Sequence, residues 1–460
     1  MRTGATTSQG PTRPPGGMAD RVRRGAVQQA TLRTHNLSEV LRAVVEAPEA
    51  PTRARLASAL GVTRATASDL VDRLIAAGLL VELEQESLGR AGRPGMLLGV
   101  GTRAVVGLGL EVQVDHLTVR ATDLTGAPVA EAHRPGDYRG SDARRVARQL
   151  ARLAAPIVEG LDGGPHAPGT GPVVGACVSV PALLDQGLVR LAPNLGWHDV
   201  DLAALLAADD ALQGIDVRVG NDADLSARAE VQARAHAEGT PRAAQSFLYV
   251  AGEVGIGGAI VVDGEVAAGR GGWSGEIGHA VIDRSGPRCG CGATGCLETY
   301  AGRDAIADAA SLPRDTPVAE LAAAASTGPR RNRARRALDT AAEALGVAVA
   351  TALNLVDVEQ VVLGGVYGAL FEHLEGGIRE QITTRVLAAR WAEVGVSRAV
   401  AGPDAAVTGA GLRVLDDVVR DPSRWMGETV PTRRDGPSRP AAPRAATVRR
   451  TAPGPSAPRP

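Results

Sequence analysis

The chain of 460 residues contains no lysine; all 50 of its basic side chains are arginine. Aromatic side chains are nearly as scarce, at 2% with two Phe. With abundant Ala, Gly and Pro, this bias looks like the imprint of a GC-rich genome rather than a functional device. No apolar run approaches the ~18 residues that a membrane-spanning helix requires, which excludes a helical span. The first 25 residues are polar, Gly/Pro-rich and Arg-bearing, without the apolar segment of a secretory signal. Met18 is a second candidate for the start of translation. Cysteine occurs four times, too rarely for a disulfide framework, and without a signal its clustering points to a reducing cytoplasm. A net charge of −1 excludes a uniformly basic nucleic-acid coat, although it hides local asymmetry.

What is present suggests two or three domains, since the length exceeds one small core. Both ends read as unstructured: residues 1–25, and a tail over 423–460 in which Arg433, Arg434, Arg439, Arg444, Arg449, Arg450 and Arg459 face only Glu428 and Asp435. Within 26–100, the spacing of Leu37, Val40, Leu41, Val44 and Val45 predicts a helix over about Leu37–Glu46, broken by Pro48 and Pro51. Thr52 can cap a second helix, Arg53–Leu60, with Gly61 as a left-handed stop. Thr63 can cap a third, whose buried stripe is Ala67, Leu70, Val71, Leu74 and Ile75. Two short strands, Leu79–Leu83 and Met96–Val100, then flank an Arg/Gly-rich loop at 89–95. The whole reads as a winged helix-turn-helix.

From residue 104 the pattern turns to α/β. Strands are expected at Val105–Leu110, Leu117–Asp123, Val173–Val180, Val217–Val219, Phe247–Ala251, Gly257–Val262 and Gln360–Leu363. Helices are expected near Asp142–Glu159, from Asp222 to about Ala237, and near Asn332–Val356 and Glu372–Ala389. Strand–strand–helix–strand occurs twice, which suggests two lobes facing a cleft, the first over 101–225 and the second over 226–422.

Three of the four cysteines fall within eight residues, as Cys289, Cys291 and Cys296, with His279 ten residues upstream. Three thiolates and an imidazole complete a closed tetrahedron about Zn2+, so the expected role is a structural zinc site. The fourth, Cys177, lies in an apolar run and reads as a small core residue. Glu276 and Glu298 bracket the set, so a pinned loop can hold both carboxylates toward a ligand.

The string Glu276-Ile-Gly-His279, the gap of ten, and Cys289-Gly-Cys-Gly-Ala-Thr-Gly-Cys-Leu-Glu298 resemble the ROK family (repressors, open reading frames and kinases). Asn194-Leu-Gly-Trp197, Gly220-Asn-Asp-Ala223 and Leu363-Gly-Gly365 support the resemblance, which runs from about Leu32 to Val419. It implies a multi-domain chain: an N-terminal winged helix-turn-helix followed by an α/β, two-lobed, actin-like sugar-kinase fold, in which a C-terminal helix can return to the first lobe. It also implies that Asn194, Asp222, Glu276, His279 and Glu298 contact a sugar, with Asp222 at the position of the kinases' general base. Carboxylates and amides suit this task because they pair several hydroxyls at fixed angles. Singly, the same residues have plainer readings: Asn194 closing a turn, Asp222 capping a helix, Glu276 and Glu298 solvated.

The kinase chemistry itself looks degraded. Where family kinases carry Asp-x-Gly-Gly-Thr, this chain has Glu111-Val-Gln-Val-Asp115, and Glu253 precedes the Gly255-Ile-Gly-Gly258 turn. Branched and acidic side chains obstruct the close approach of backbone to phosphate. The expectation is therefore no enzyme but a cytoplasmic regulator, a repressor of carbohydrate-utilisation genes, with operator DNA and a sugar or sugar phosphate as partners, acting as a homodimer or homotetramer. Arg64, Thr66 and Ser68 would meet the major groove, and Arg90 and Arg93 of the wing would reach phosphate or the minor groove. The alternatives are an active sugar kinase with an added DNA head, and a regulator that answers a protein partner through a vestigial pocket.

Overall fold

The computed structural model describes residues 18–83, 96–101, 105–161 and 171–426. The head comprises α1 (Met18–Val45), α2 (Arg53–Ala59), α3 (Arg64–Ala76) and the antiparallel strands β1 (Leu80–Leu83) and β2 (Leu97–Val100). Thr52 and Thr63 cap α2 and α3, each side-chain oxygen accepting a backbone N–H three residues on, and Gly61 sits at φ +64 between them. The first helix is longer than its apolar stripe alone predicts. It begins at Met18, inside the segment expected to lack structure, because the Gly/Pro content that suggested a coil is concentrated before that residue. Its last two turns bury Leu37, Val40, Leu41, Val44 and Val45, each contributing about 1.5–3 kcal/mol.

Two five-stranded sheets form the body. The first is built from β3 (Val106–Val112), β4 (His116–Thr122), β5 (Pro128–Pro135), β6 (Val173–Val180) and β10 (Val217–Asn221), in the order β10-β6-β3-β4-β5. Between β5 and β6 runs α4 (Ala143–Leu161). Between β6 and β10 lie a small sheet, β7 (Leu183–Asp185), β8 (Leu188–Ala192) and β9 (Trp197–Val200), and the short α5 (Leu202–Ala207). The helix α6 (Asp222–Ala237) leads into the second sheet. That sheet holds β11 (Phe247–Gly252), β12 (Ile256–Val262), β13 (Glu265–Val266), β14 (Gln360–Gly365) and β15 (Gly395–Arg398), in the order β13-β12-β11-β14-β15. Each sheet is an antiparallel meander of three strands extended by two parallel ones. The repeated strand–strand–helix–strand pattern is thus one architecture used twice.

The remaining helices are α7 (Glu298–Ala301), α8 (Arg303–Ala310), α9 (Val318–Ser326), α10 (Arg331–Leu353), α11 (Val366–Ala369), α12 (Phe371–Arg385) and α13 (Ala405–Arg420). Most of them build the core of the second lobe, where Leu338, Leu345 and Val349 of α10 and Leu374 and Ile378 of α12 share one buried cluster. The last helix departs from its place in sequence: α13 lies on the first sheet and against α6. Glycines make that approach possible. A methyl group at Gly107 or Gly109 of β3 would collide with the carbonyl oxygens of Gly411 or Val407, and one at Gly409 with that of Leu225.

Leu412, Leu415 and Val418 of α13 join the core of the head, packing with Leu41, Val44 and Leu98. Head and body therefore share one apolar cluster. The 3-10 turn Pro422–Trp425 follows α13, so the stretch expected to be an unstructured tail begins with ordered residues; residues 427–460 and their arginines lie outside the described residues. No helix among the described residues is long and apolar enough to cross a membrane.

Candidate functional site: an acidic cleft beside a Cys3His cluster

A cleft of about 250 Å³ opens between the two lobes. Asn194, Asp222, Glu276, His279 and Glu298 all line it, so residues spread over more than a hundred positions meet in one place. Asn194 sits in the turn between β8 and β9, where Leu195 and Gly196 donate to the Ala192 carbonyl. Buried Trp197, whose indole N–H donates to the Ser141 carbonyl at 2.9 Å, anchors this hairpin on the first lobe. Asn194 thus closes a turn and also faces the cleft. A methyl at Gly255 would lie 2.9 Å from a Glu298 carboxylate oxygen and 3.2 Å from the Asn194 amide nitrogen, so the bare glycine keeps the space where those two groups converge.

Asp222 does not cap α6. Asn221 does, its side-chain oxygen accepting the N–H groups of Ala223 (2.9 Å) and Asp224 (3.2 Å), while its amide donates to the Ala182 carbonyl. That division leaves the Asp222 carboxylate at the cleft, where it accepts the Ala223 N–H at 2.9 Å and lies 3.4 Å from Gln113. Burial is the main force lifting the pKa of Asp222 to about 6; hydrogen bonds from Gln113 and the Ala223 N–H oppose the rise, and the charges of Glu111 and Glu276 add to it. Burial likewise lifts Asp224 to about 7, with Asp222 adding repulsion. Glu253 is lifted to about 8, again by burial first and then by Glu111, Asp115 and Asp222. The wall formed by Glu111, Gln113 and Glu253 was legible only as a damaged phosphate cradle; its side chains belong to the cleft itself.

Glu276 and His279 reach the cleft because their loop lies directly on β12. Methyl groups at Gly275 or Gly278 would strike the carbonyl oxygens of Gly258 or Ile256. The loop then returns through Cys289–Cys296, with Leu297 N–H donating to the Ala280 carbonyl and Ile282 N–H to that of Gly295. Partial loss of solvent at the cleft wall raises the pKa of both Glu276 and Glu298, and His279 opposes the rise.

The ligand atoms of His279, Cys289, Cys291 and Cys296 all lie within 4.8 Å of one another. Cys289 Sγ is 3.8 Å from His279 Nδ1, and Cys291 Sγ is 3.8 Å from Cys296 Sγ. Metal–sulfur bonds of about 2.3 Å in a tetrahedron separate neighbouring sulfurs by about 3.8 Å. The donor set and its spacing thus fit a four-coordinate metal ion. Nδ1 faces the cluster, which leaves Nε2 of His279 for another partner.

In the head, Arg64 and Thr66 are exposed at the start of α3, and Thr66 Oγ1 is 2.8 Å from the capping Thr63 hydroxyl. Ser68 is half-buried, toward the edge of the exposed face, whose centre is Ala65, Asp69 and Asp72. Asp72 is paired with Arg53 at 2.7 Å, and Arg53 also holds Glu82 of the wing at 2.9 Å. This acidic pair on a helix expected to meet DNA is thus half neutralised from within the head. Arg90 and Arg93 lie outside the described residues.

Comparison with known proteins adds to this geometry. The ROK family model matches residues 166–416, and the MarR family model matches residues 38–91. The xylose repressor of Caldicellulosiruptor bescii is 25% identical over 81% of this chain and 93% of its own length. A glucokinase of Thermotoga maritima is 31% identical over 57% of this chain and 83% of its own. Among solved structures, a ROK family transcriptional regulator described as a homolog of the E. coli MLC protein aligns with a TM-score of 0.63 at 24% identity, covering 84% of this chain and 99% of its own.

Proposed function

Since the chain belongs to the ROK family, with a MarR-type head fused to its body, we propose that it is a sugar-responsive, DNA-binding repressor of carbohydrate-utilisation genes. The observation that carries this reading is α6. Its first turn places Asp222 in the cleft, and its far end meets the head, where His236 Nε2 donates to the Val45 carbonyl at 2.6 Å. Val45 ends α1, and the final carbonyls of a helix lack intrahelical partners, so this bond joins two elements at their ends. Sixteen helical residues span about 24 Å. One rigid element therefore links the proposed effector site to the proposed DNA reader.

In this mechanism the sugar draws the lobes together by bridging Asn194 and Asp222 on one side with Glu276, His279 and Glu298 on the other. Closure tilts α6, and α6 carries the head. In a homodimer the spacing of two heads then no longer matches half-sites one helical turn apart. Coupling of this kind is commonly worth about 1–3 kcal/mol, or roughly 5–150-fold in affinity. His279, Cys289, Cys291 and Cys296 would hold Zn2+ as a structural ion, which supplies a closed ligand shell and no reactive position. With Nδ1 committed to the metal, the Nε2–H of His279 can orient a sugar hydroxyl. Residues Arg64, Thr66 and Ser68 are the proposed contacts of α3 with the major groove, with Arg90 and Arg93 on the wing, and the protein works in the cytoplasm. The regulator reading is favoured over a sugar kinase by the repressors among its relatives and by Glu111, Gln113 and Glu253 where a phosphate cradle would stand.

A gel shift with the region upstream of its own gene tests the proposal. Specific binding should fall at least tenfold in Arg64→Ala and in Arg93→Ala, and a sugar should release the wild type. Unchanged binding in both variants would remove the assignment of the DNA contacts. Asp222-dependent phosphorylation of a sugar by ATP would reverse the choice between regulator and enzyme.

A further inference from the structure

The head is poorly supplied with the charge that DNA binding draws on. Over residues 32–83 six arginines stand against six carboxylates. Three of those arginines are engaged within the head itself: Arg42 with Glu46, Arg53 with Asp72 and Glu82, and Arg55 with Glu49. Among the described residues only Arg33, Arg64 and Arg73 of this stretch have no ion pair, and Asp69 shares the exposed face of α3 with Asp72. The rest of the chain does not make up the shortage. The net charge of −1 already includes the arginines of 427–460, so everything before that segment is net negative. Much of the affinity for a duplex comes from Arg and Lys displacing counterions from phosphate, and this chain has no lysine.

The missing charge lies in 427–460. No acidic side chain follows Asp435, and Arg434, Arg439, Arg444 and Arg449 recur at every fifth residue. Even spacing limits repulsion between guanidinium groups and offers each a separate phosphate, of which a duplex presents one charge per ~1.7 Å of its axis. The fold fixes where this segment starts. The 3-10 turn Pro422–Trp425 contacts both α13 and α1. Buried Pro422 and the Arg424–Asp421 pair at 3.0 Å hold the turn. Trp425 and Met426 then pack on the apolar cluster that contains Leu41 and Val44 of α1 and Leu98 of β2. The arginines are thus delivered to the head and not to the cleft. A stretch of 34 residues can span up to ~110 Å, against ~42 Å for the whole of α1. It can therefore meet a duplex beyond the footprint of the head.

We infer that residues 427–460 are a second DNA-binding element, an arm rooted on the head whose arginines hold the phosphate backbone on either side of the operator. Contacts to phosphate carry no sequence information. The arm adds affinity for any duplex and speeds encounter, while α3 and the wing choose the sequence. The inference rests on the head being a DNA reader and adds a second surface to it.

Fluorescence anisotropy on the full-length chain tests it with two duplexes of equal length, one from the region upstream of its own gene and one scrambled. The variant combines Arg433→Gln, Arg434→Gln, Arg439→Gln, Arg444→Gln, Arg449→Gln, Arg450→Gln and Arg459→Gln, and its melting temperature should match the wild type. At about 50 mM salt it should bind both duplexes at least tenfold more weakly, and the slope of log K against log salt should be shallower by about 3–6. Its preference for the upstream duplex should stay within threefold of the wild type. Equal affinities and slopes overturn the inference and leave the head as the reader. Tighter binding by the variant would show the arginines masking the head, and a collapsed preference would show them reading bases; either result sinks the phosphate arm. If the wild type binds both duplexes equally and the variant has lost that binding, the arm stands and the repressor reading fails. If neither protein binds any duplex, both fail.

Discussion

At the scale of single residues, the division of labour between Asn221 and Asp222 decides what the cleft can do. Both side chains can cap a helix, and the plain reading of the sequence put Asp222 at the cap. The structure gives the cap to Asn221, which leaves a buried carboxylate with its pKa lifted to about 6. An unfolded Asp titrates near 3.8, so the folded protein holds this proton more tightly than the unfolded chain does. The stability it contributes is complete below about pH 4 and is lost as pH rises past 6. At about 1.4 kcal/mol per pH unit, Asp222 alone accounts for on the order of 2–3 kcal/mol before screening by the partly open cleft. Asp224 and Glu253, lifted to about 7 and 8, extend the loss upward. The melting temperature of the ligand-free protein should therefore fall between pH 5 and pH 8.5, and Asp222→Asn should flatten the lower part of that fall. A variant with the wild-type pH profile would show that Asp222 is ionised throughout.

At the scale of elements, the strands of the body were readable wherever burial was two-sided. The run Val173–Val180 is apolar apart from Ser179 and forms β6 with the same bounds. The helices α7–α9 and the strands β7–β9 were not readable, because they are short and amphipathic over too few residues to show a period. The return of a C-terminal helix to the first lobe was expected from the resemblance, but the bounds of α13 were not: Ala405–Arg420 is rich in Ala and Gly, and its buried face becomes evident only from the backbone of β3 beneath it. Gly109→Ala should destabilise the fold by about 1–3 kcal/mol through overpacking, measurable as a lower denaturation midpoint with the slope unchanged. The link made by α6 has its own signature. His236→Ala removes the bond to the Val45 carbonyl and leaves the cleft intact. Sugar affinity should hold within twofold while the sugar's effect on operator binding falls at least fivefold; retention of the full effect would mean that coupling runs by another route.

At the scale of the whole molecule, the fold class was legible because two motifs with little freedom, the capped helix pair and the Cys3His spacing, lie in different domains of one chain. The site was legible as far as its motifs reached. Asn194, Asp222, Glu276, His279 and Glu298 do line one cleft, but Glu111 near the end of β3 and Gln113 just past it were legible only as an altered phosphate loop and not as lining of that cleft. The metal loop forms one wall of that cleft while the head lies beyond α6. Stripping the metal with a chelator should then abolish the sugar response at concentrations that leave operator binding within threefold. Metal analysis must confirm the loss, and an intact sugar affinity in metal-free protein would break the proposed connection. The glycine seam between β3 and α13 carries a broader consequence. Interdigitated side chains hold packed helices to a few discrete positions, but backbone resting on backbone through Gly107, Gly109 and Gly411 has no teeth. The seam lies within the first lobe, so what it sets is how closely α13, and with it the apolar cluster that α13 shares with the head, rides on that lobe's sheet.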